Sequence, residues 1–389
     1  MTIDKFSRRQ FLQAGGIGLL GAFALRPNAW SNQNHHFTMY VGTYTSGKSE
    51  GIYGYYTHPV MGGLSRFMSS KSVNPSFLTI DSSKKYLYAV NEVGEYLGKP
   101  GGAVSAFAID QSEKAGLRLL NEQPTLGADP CYVTVDSKRK NLLVANYTGG
   151  SVTVLPIRHD GTLGPATDVK QHQGSGPKEQ QKGPHAHCVI LDRSERHALV
   201  ADLGIDKVMI YRFDKSDGKL KPNKKQPYAE LKAGAGPRHL TFHPNGKYLY
   251  AINELDSTLT SFNYDDDDGK LTQIETVSTL PSDFSGVSYC ADVHVHNTGK
   301  YLYGSNRGHN SIVVFEIDQG TGKLKLVEHV STRGDWPRNF ALDPSGGVLL
   351  VANQRSDSIV TFTVDLETGK LMPTGIVEAL PSPVCLKFV

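Results

Sequence analysis

Along most of the chain a polar turn, a run of mostly apolar residues and a polar stop recur in that order. The copies are Asp81–Asn91, Asp136–Asn146, Asp192–Asp202, His243–Asn253, His296–Asn306 and Asp343–Asn353, and their last residues lie 47 to 56 positions apart. Apolar runs this short, bounded by turn residues, read as buried strands, and the interval fits one four-stranded propeller blade per copy. A seventh copy is split. Met39-Tyr-Val-Gly-Thr43 matches the end of the phrase, while Pro383-Val-Cys-Leu-Lys-Phe-Val389 matches the segment that opens every other repeat. The pattern therefore predicts an all-β, seven-bladed β-propeller over residues 37–389. Its two chain ends share one blade, with Phe37–Gly42 as strand B beside Val384–Phe388 as strand A, which removes the open sheet edges.

The remaining strands follow the same rule. Strand A opens after a Pro or Gly, as in Pro75-Ser-Phe and Pro237-Arg-His. Strand C gives way to turns at Asp217-Gly, Asp268-Gly, Thr321-Gly and Thr368-Gly, where glycine supplies positive φ. The acidic run Asp265–Asp268 falls in one of these turns. It lacks the spaced carboxylates of a calcium loop and reads as a solvated turn.

Residues 1–36 stand outside the repeat. Ser7-Arg-Arg-Gln-Phe-Leu12 precedes the apolar stretch Ala14–Leu25, which at 12 residues is too short to cross a bilayer. The pattern resembles a twin-arginine export signal, cleaved between Ala29 and His36. It implies a periplasmic or secreted protein handled by the twin-arginine export machinery, with no stable membrane span after processing. The four cysteines, Cys131, Cys188, Cys290 and Cys385, fall in four different opening strands and read as buried free thiols. A formal net charge of +3, with no long basic run, gives no footing for nucleic acid.

Register places the candidate chemistry. The start of strand A and the end of strand B emerge on one face of the ring, so two sets of residues line that channel mouth. The first holds Ser76, Cys131, His187, Arg238, Ala291, Arg338 and Val384. The second holds Tyr44, Glu92, Tyr147, Leu203, Glu254, Arg307 and Gln354. His239 and Asp292, adjacent to members of the first set, are expected to point away toward the neighbouring strands. Charge concentrates on part of this ring, with His185 two residues before His187 on the same side. Three arginines around a concavity attract anions, and a histidine with a carboxylate can move a proton. Three long polar connections on the same face, after Glu92, Lys170 and Leu280, are candidate rims or lids. His185-Ala-His187 has metal-ligand spacing, but the arginines would repel a divalent ion, so neither metal nor cofactor is expected. The sequence carries no G-x-S-x-G, H-E-x-x-H, P-loop or C-x-x-C motif.

Gly183-Pro-His-Ala-His187, Gly236-Pro-Arg-His239, Asn253-Glu254, Ser305-Asn-Arg307 and Trp336-Pro-Arg-Asn339 resemble the signature segments of the seven-bladed propeller lactonase family. That family includes propeller-type 6-phosphogluconolactonases and carboxy-cis,cis-muconate lactonising enzymes. The resemblance implies a carboxylic ester hydrolase acting on an acidic or sugar lactone without a metal. It carries catalytic roles to His187 or His185, Arg238, Glu254 and Arg307. Arg338, Glu92 and Gln354 join from the ring as substrate-binding residues. An export signal is unexpected for a sugar-phosphate enzyme and makes an unphosphorylated lactone plausible. A non-catalytic ligand- or surface-binding propeller, a muconate-cyclase-type lactonising enzyme and a calcium-dependent propeller lactonase are the competing readings.

Overall fold

The computed structural model describes residues 36–110 and 116–389. The expected export signal lies outside the described residues. Seven antiparallel sheets follow one another, each with strand A innermost. Blade 1 pairs strand A, Pro383–Phe388, with strand B, Phe37–Thr43, in the register Met39 to Phe388 and Val41 to Leu386. The split repeat thus closes the ring as the sequence pattern requires. The later blades open with Leu78–Ile80, Pro130–Val135, Ala186–Leu191, Pro237–Phe242, Tyr289–Val295 and Pro337–Leu342. Blade 4 departs from four simple strands: its strand C pairs with Lys219–Pro222 at one end and Tyr228–Glu230 at the other.

Apolar faces of successive blades pack on each other, which is why strands B are buried along nearly their whole length. The strand C to D turns also latch blade to blade. Tyr250 of blade 5 donates its hydroxyl to Gly322 O of blade 6, and Tyr303 of blade 6 does the same to Gly369 O of blade 7. A Cβ on Gly322 would lie 2.5 Å from the Tyr248 ring, and its φ is +71°, so both space and conformation require glycine. Cys131, Cys188, Cys290 and Cys385 are buried and free. Among the described residues no helix is long and apolar enough to cross a membrane.

Two local devices shape the channel mouth. The residue before the strand A proline is left-handed in five blades: Asn74, Asp129, Gly236, Trp336 and Ser382 have φ of 41°, 53°, 65°, 67° and 45°. In six of the seven blades strand A then bulges against strand B near its start. The skipped residues are Cys131, His187, Arg238, Arg338 and Val384 in blades 3, 4, 5, 7 and 1, with Ala291 and Asp292 skipped together in blade 6. A bulge re-aims side chains and ends regular pairing. The strand A positions counted as the mouth, Ser76 apart, are therefore bulged ones.

Candidate active site

Arg238 and Arg307 close on one carboxylate. Arg238 Nε lies 2.9 Å, and an Arg307 terminal nitrogen 2.8 Å, from Glu254 Oε2. Arg307 also donates to Cys290 O at 2.8 Å, and Arg238 to Ala291 O at 2.5 Å. Both guanidinium groups are nearly fully buried, and among the described residues Glu254 is the only carboxylate ion-paired to them. Burial raises the Glu254 carboxyl, but Arg307, Arg238 and Arg338 outweigh it and hold its pKa below the ordinary value. Burial lowers Arg307 to about 10, aided by Arg238 and Arg338 and opposed by Glu254.

Arg338 belongs to a second linkage. It donates to the Tyr44 hydroxyl at 2.7 Å, and that hydroxyl donates to Glu92 Oε1 at 2.9 Å. Its guanidinium carbon also stands 5.2 Å from the Tyr44 ring centre. Tyr44 ties blade 1 to blades 2 and 7 across the mouth.

His187 lines a small cavity of ≈ 10 Å³ with Glu92, Cys131, Arg238 and Arg338. Burial, then Arg238, His239 and Arg338, push its pKa well below 6.5, so the ring is neutral at neutral pH. Its Nδ1 is 3.7 Å from Cys131 Sγ. His185 lies against Tyr147, stacked at 4.5 Å between ring centres, with Nδ1 3.0 Å from Tyr147 O. A carbonyl only accepts, so His185 Nδ1 carries its proton. Glu254 meets the arginines rather than either histidine, so its geometry suits holding them. Gln354 caps the end of its strand, N–H to Trp336 O. Leu203 is buried in a short 3-10 turn.

Some of the buried polar atoms left without a hydrogen-bond partner belong to mouth residues: Ser76 Oγ, Glu92 Oε2, Arg307 Nε and Gln354 Oε1. Native proteins rarely leave such atoms unpartnered, and a polar ligand at this mouth would find them available. Another residue belongs with them. Trp336 takes a left-handed φ of 67°, where the equivalent residues are Asn, Asp, Gly or Ser. Aromatic residues tolerate that region poorly. Its ring lies 3.4 Å from the Arg355 guanidinium carbon and 5.3 Å from that of Arg307. The sequence offered the Trp-Pro-Arg segment, but nothing in it marked the strain.

The channel does not run open below this mouth. Phe77 and Tyr132 stack at 4.0 Å, and His239 packs edge-on to both from across the ring. His239 and Asp292 do turn toward neighbouring strands, but His239 also reaches the channel axis and floors the site. The long connection at Lys170–Gly183 is a pinned rim: Gln181 donates to Leu203 O and Asp206 Oδ1, and Lys178 to Leu255 O.

The protein is thus a closed seven-bladed propeller with a buried Arg–Glu–Arg clasp and a neutral histidine at one mouth. The family model "Lactonase, 7-bladed beta-propeller" matches residues 38–388, and the chain belongs to that family. It is 38% identical over 350 residues to the 6-phosphogluconolactonase of Bacillus subtilis strain 168, covering 90% of this chain and 97% of that one. A putative 6-phosphogluconolactonase from Bacteroides fragilis superposes with a TM-score of 0.86 at 40% identity, covering 92% and 99% of the two chains. The Pseudomonas aeruginosa periplasmic gluconolactonase gives 0.86 at 33% identity, covering 91% and 99%.

Proposed function

We propose that the protein is an exported, metal-independent lactonase that hydrolyses an unphosphorylated aldonolactone at this mouth. The observation that carries the reading is the buried Arg238–Glu254–Arg307 clasp, with Arg307 Nε left unpartnered, beside a histidine kept neutral. Water adds to the lactone carbonyl and gives a proton to His187. The arginines hold the oxyanion that forms, the bond from the carbonyl carbon to the ring oxygen breaks, and that oxygen takes the proton back. Arg238 and its neighbours disfavour an imidazolium in the resting site. The oxyanion that develops beside the same arginines offsets that penalty, so His187 gains basicity as the reaction proceeds. His185, fixed on Tyr147, shapes the wall of the mouth.

Charge bears on the substrate. Three arginines against Glu254 and Glu92 leave about one net positive charge, counting formal charges. That matches a monoanionic aldonate product better than one bearing a phosphate as well. The periplasmic relative and the Arg8-Arg9 segment support the same choice.

Purified protein assayed on paired phosphorylated and unphosphorylated lactones should favour the unphosphorylated member, with EDTA without effect. His187→Ala should lower kcat by about 10²–10⁴-fold while the fold survives. The wild-type rate should stay flat from neutral pH down past 6.5 and fall only below it. Loss of turnover on chelation, or His187→Ala at full rate, would overturn the mechanism. Arg8→Lys with Arg9→Lys should leave the protein in the cytoplasm, and unchanged secretion would refute the export route.

A further inference from the structure

We infer that Asp292 and His239 form a buried relay that positions Arg238, making them positioning residues for the reaction proposed above, on which this inference rests. Arg238 can only donate hydrogen bonds. One of its terminal nitrogens lies 3.2 Å from His239 Nε2, so that nitrogen must be the bare one. The His239 proton therefore sits on Nδ1, which faces Asp292 Oδ1 at 2.7 Å. Geometry alone fixes the tautomer: a carboxylate that only accepts on one side, and a guanidinium that only donates on the other.

Asp292 is itself held from every direction. Oδ1 also receives the Val293 N–H at 3.0 Å, while Oδ2 faces His294 Nε2 at 2.9 Å, Asn339 Nδ2 at 2.5 Å and the Phe340 N–H at 3.5 Å. Burial opposes its charge, but His294 and His239 hold it well below the ordinary range. Burial and then Arg238 push His239 down to about 4, with Asp292 pulling the other way. At neutral pH the dyad is thus a carboxylate and a neutral imidazole. Phe77 and Tyr132 clamp the His239 ring from across the channel. The arrangement gives Arg238 a fixed acceptor from below, while Glu254 and Ala291 O take its other contacts. The guanidinium is thereby aimed before substrate arrives, and preorganised donors are what stabilise an oxyanion.

The test is Asp292→Asn, with His239→Gln and His239→Leu as partners. Donors face both Asp292 oxygens, so an asparagine must set its own NH₂ against one of them. If it meets His239, it drives that proton to Nε2, against Arg238. Nitrogen-15 NMR of the histidines should show His239 protonated on Nδ1 in the wild type. Asp292→Asn and His239→Leu should lower kcat by about 10–100-fold, the usual cost of losing an orienting partner, with little change in KM. His239→Gln, which can still accept from Arg238, should recover most of the rate. A wild-type His239 protonated on Nε2 would overturn the relay. So would folded Asp292→Asn and His239→Leu proteins with wild-type kcat and only a lowered Tm. If the wild type hydrolyses no lactone, the NMR measurement still decides the relay and the catalytic reading alone falls.

Discussion

Two charged regions of this molecule differ in almost every respect but sign. The mouth site is cramped, and its charges are buried, paired and linked by ion pairs and hydrogen bonds from five blades. A groove of ≈ 950 Å³ on blades 3 to 5 is far larger and collects Lys138, Lys140, Lys215, Lys221, Lys224 and Lys225. Size alone would favour the groove as the working site. Its lysines, however, are mostly exposed, flexible and screened by water and salt, so they fix no ligand in one pose. At the mouth a small number of buried guanidinium groups are held in fixed directions by Glu254, Tyr44 and backbone carbonyls. Orientation and desolvation, rather than volume or total charge, are the grounds on which the mouth is proposed as the site.

Arg307→Ala should give the largest effect on this contrast. It removes a donor aimed at the mouth and should cut kcat by about 10²-fold or more in a steady-state lactone assay. An unchanged rate would mean that the mouth charge is structural, like that of the groove.

Glu254→Gln should act on stability as well as rate. It leaves two buried guanidinium groups without their counter-charge, a change that costs about 3–5 kcal/mol when a buried pair is broken. Denaturant titration against the wild type measures it. The carboxyl's pKa is depressed in the folded state, so its stabilisation is present above the unfolded value. It is lost as pH falls through the lower folded value. The gap between wild type and variant should therefore be full at neutral pH and close in acid. A gap independent of pH would deny Glu254 its charge-holding role.

The fold was legible because it repeats: the polar stops Asn91 to Asn353 announced the blades, and the split copy announced the closure. The mouth positions were legible for the same reason, since a fixed count from each turn led to Arg238 and Arg338. The count could not show that those residues are bulged out of register, because a bulge leaves the sequence spacing unchanged within a family of equal repeats. Nor could it show the direction of His239, whose partners Phe77 and Tyr132 come from blades more than 100 residues earlier. Trp336 carries its signal in a backbone angle, and no residue-type pattern reports that.

The smallest expected effect belongs to the groove, and it completes the comparison. Lys224 and Lys225 are exposed on the segment joining the two outer strands of blade 4, and among the described residues neither makes a side-chain ion pair. Replacing both by Ala removes two screened charges and no buried contact. Stability should change by less than about 0.5 kcal/mol, the usual scale for surface substitutions away from special features. The kcat/KM for a neutral aldonolactone should also hold, because a neutral substrate gains no electrostatic steering from distant lysines. A phosphorylated lactone is the sharper probe. If its kcat/KM falls in the double variant and the deficit vanishes at high salt, the groove steers anions toward the mouth. If both substrates are indifferent, the two regions are functionally separate, and the larger pocket contributes nothing to this reaction.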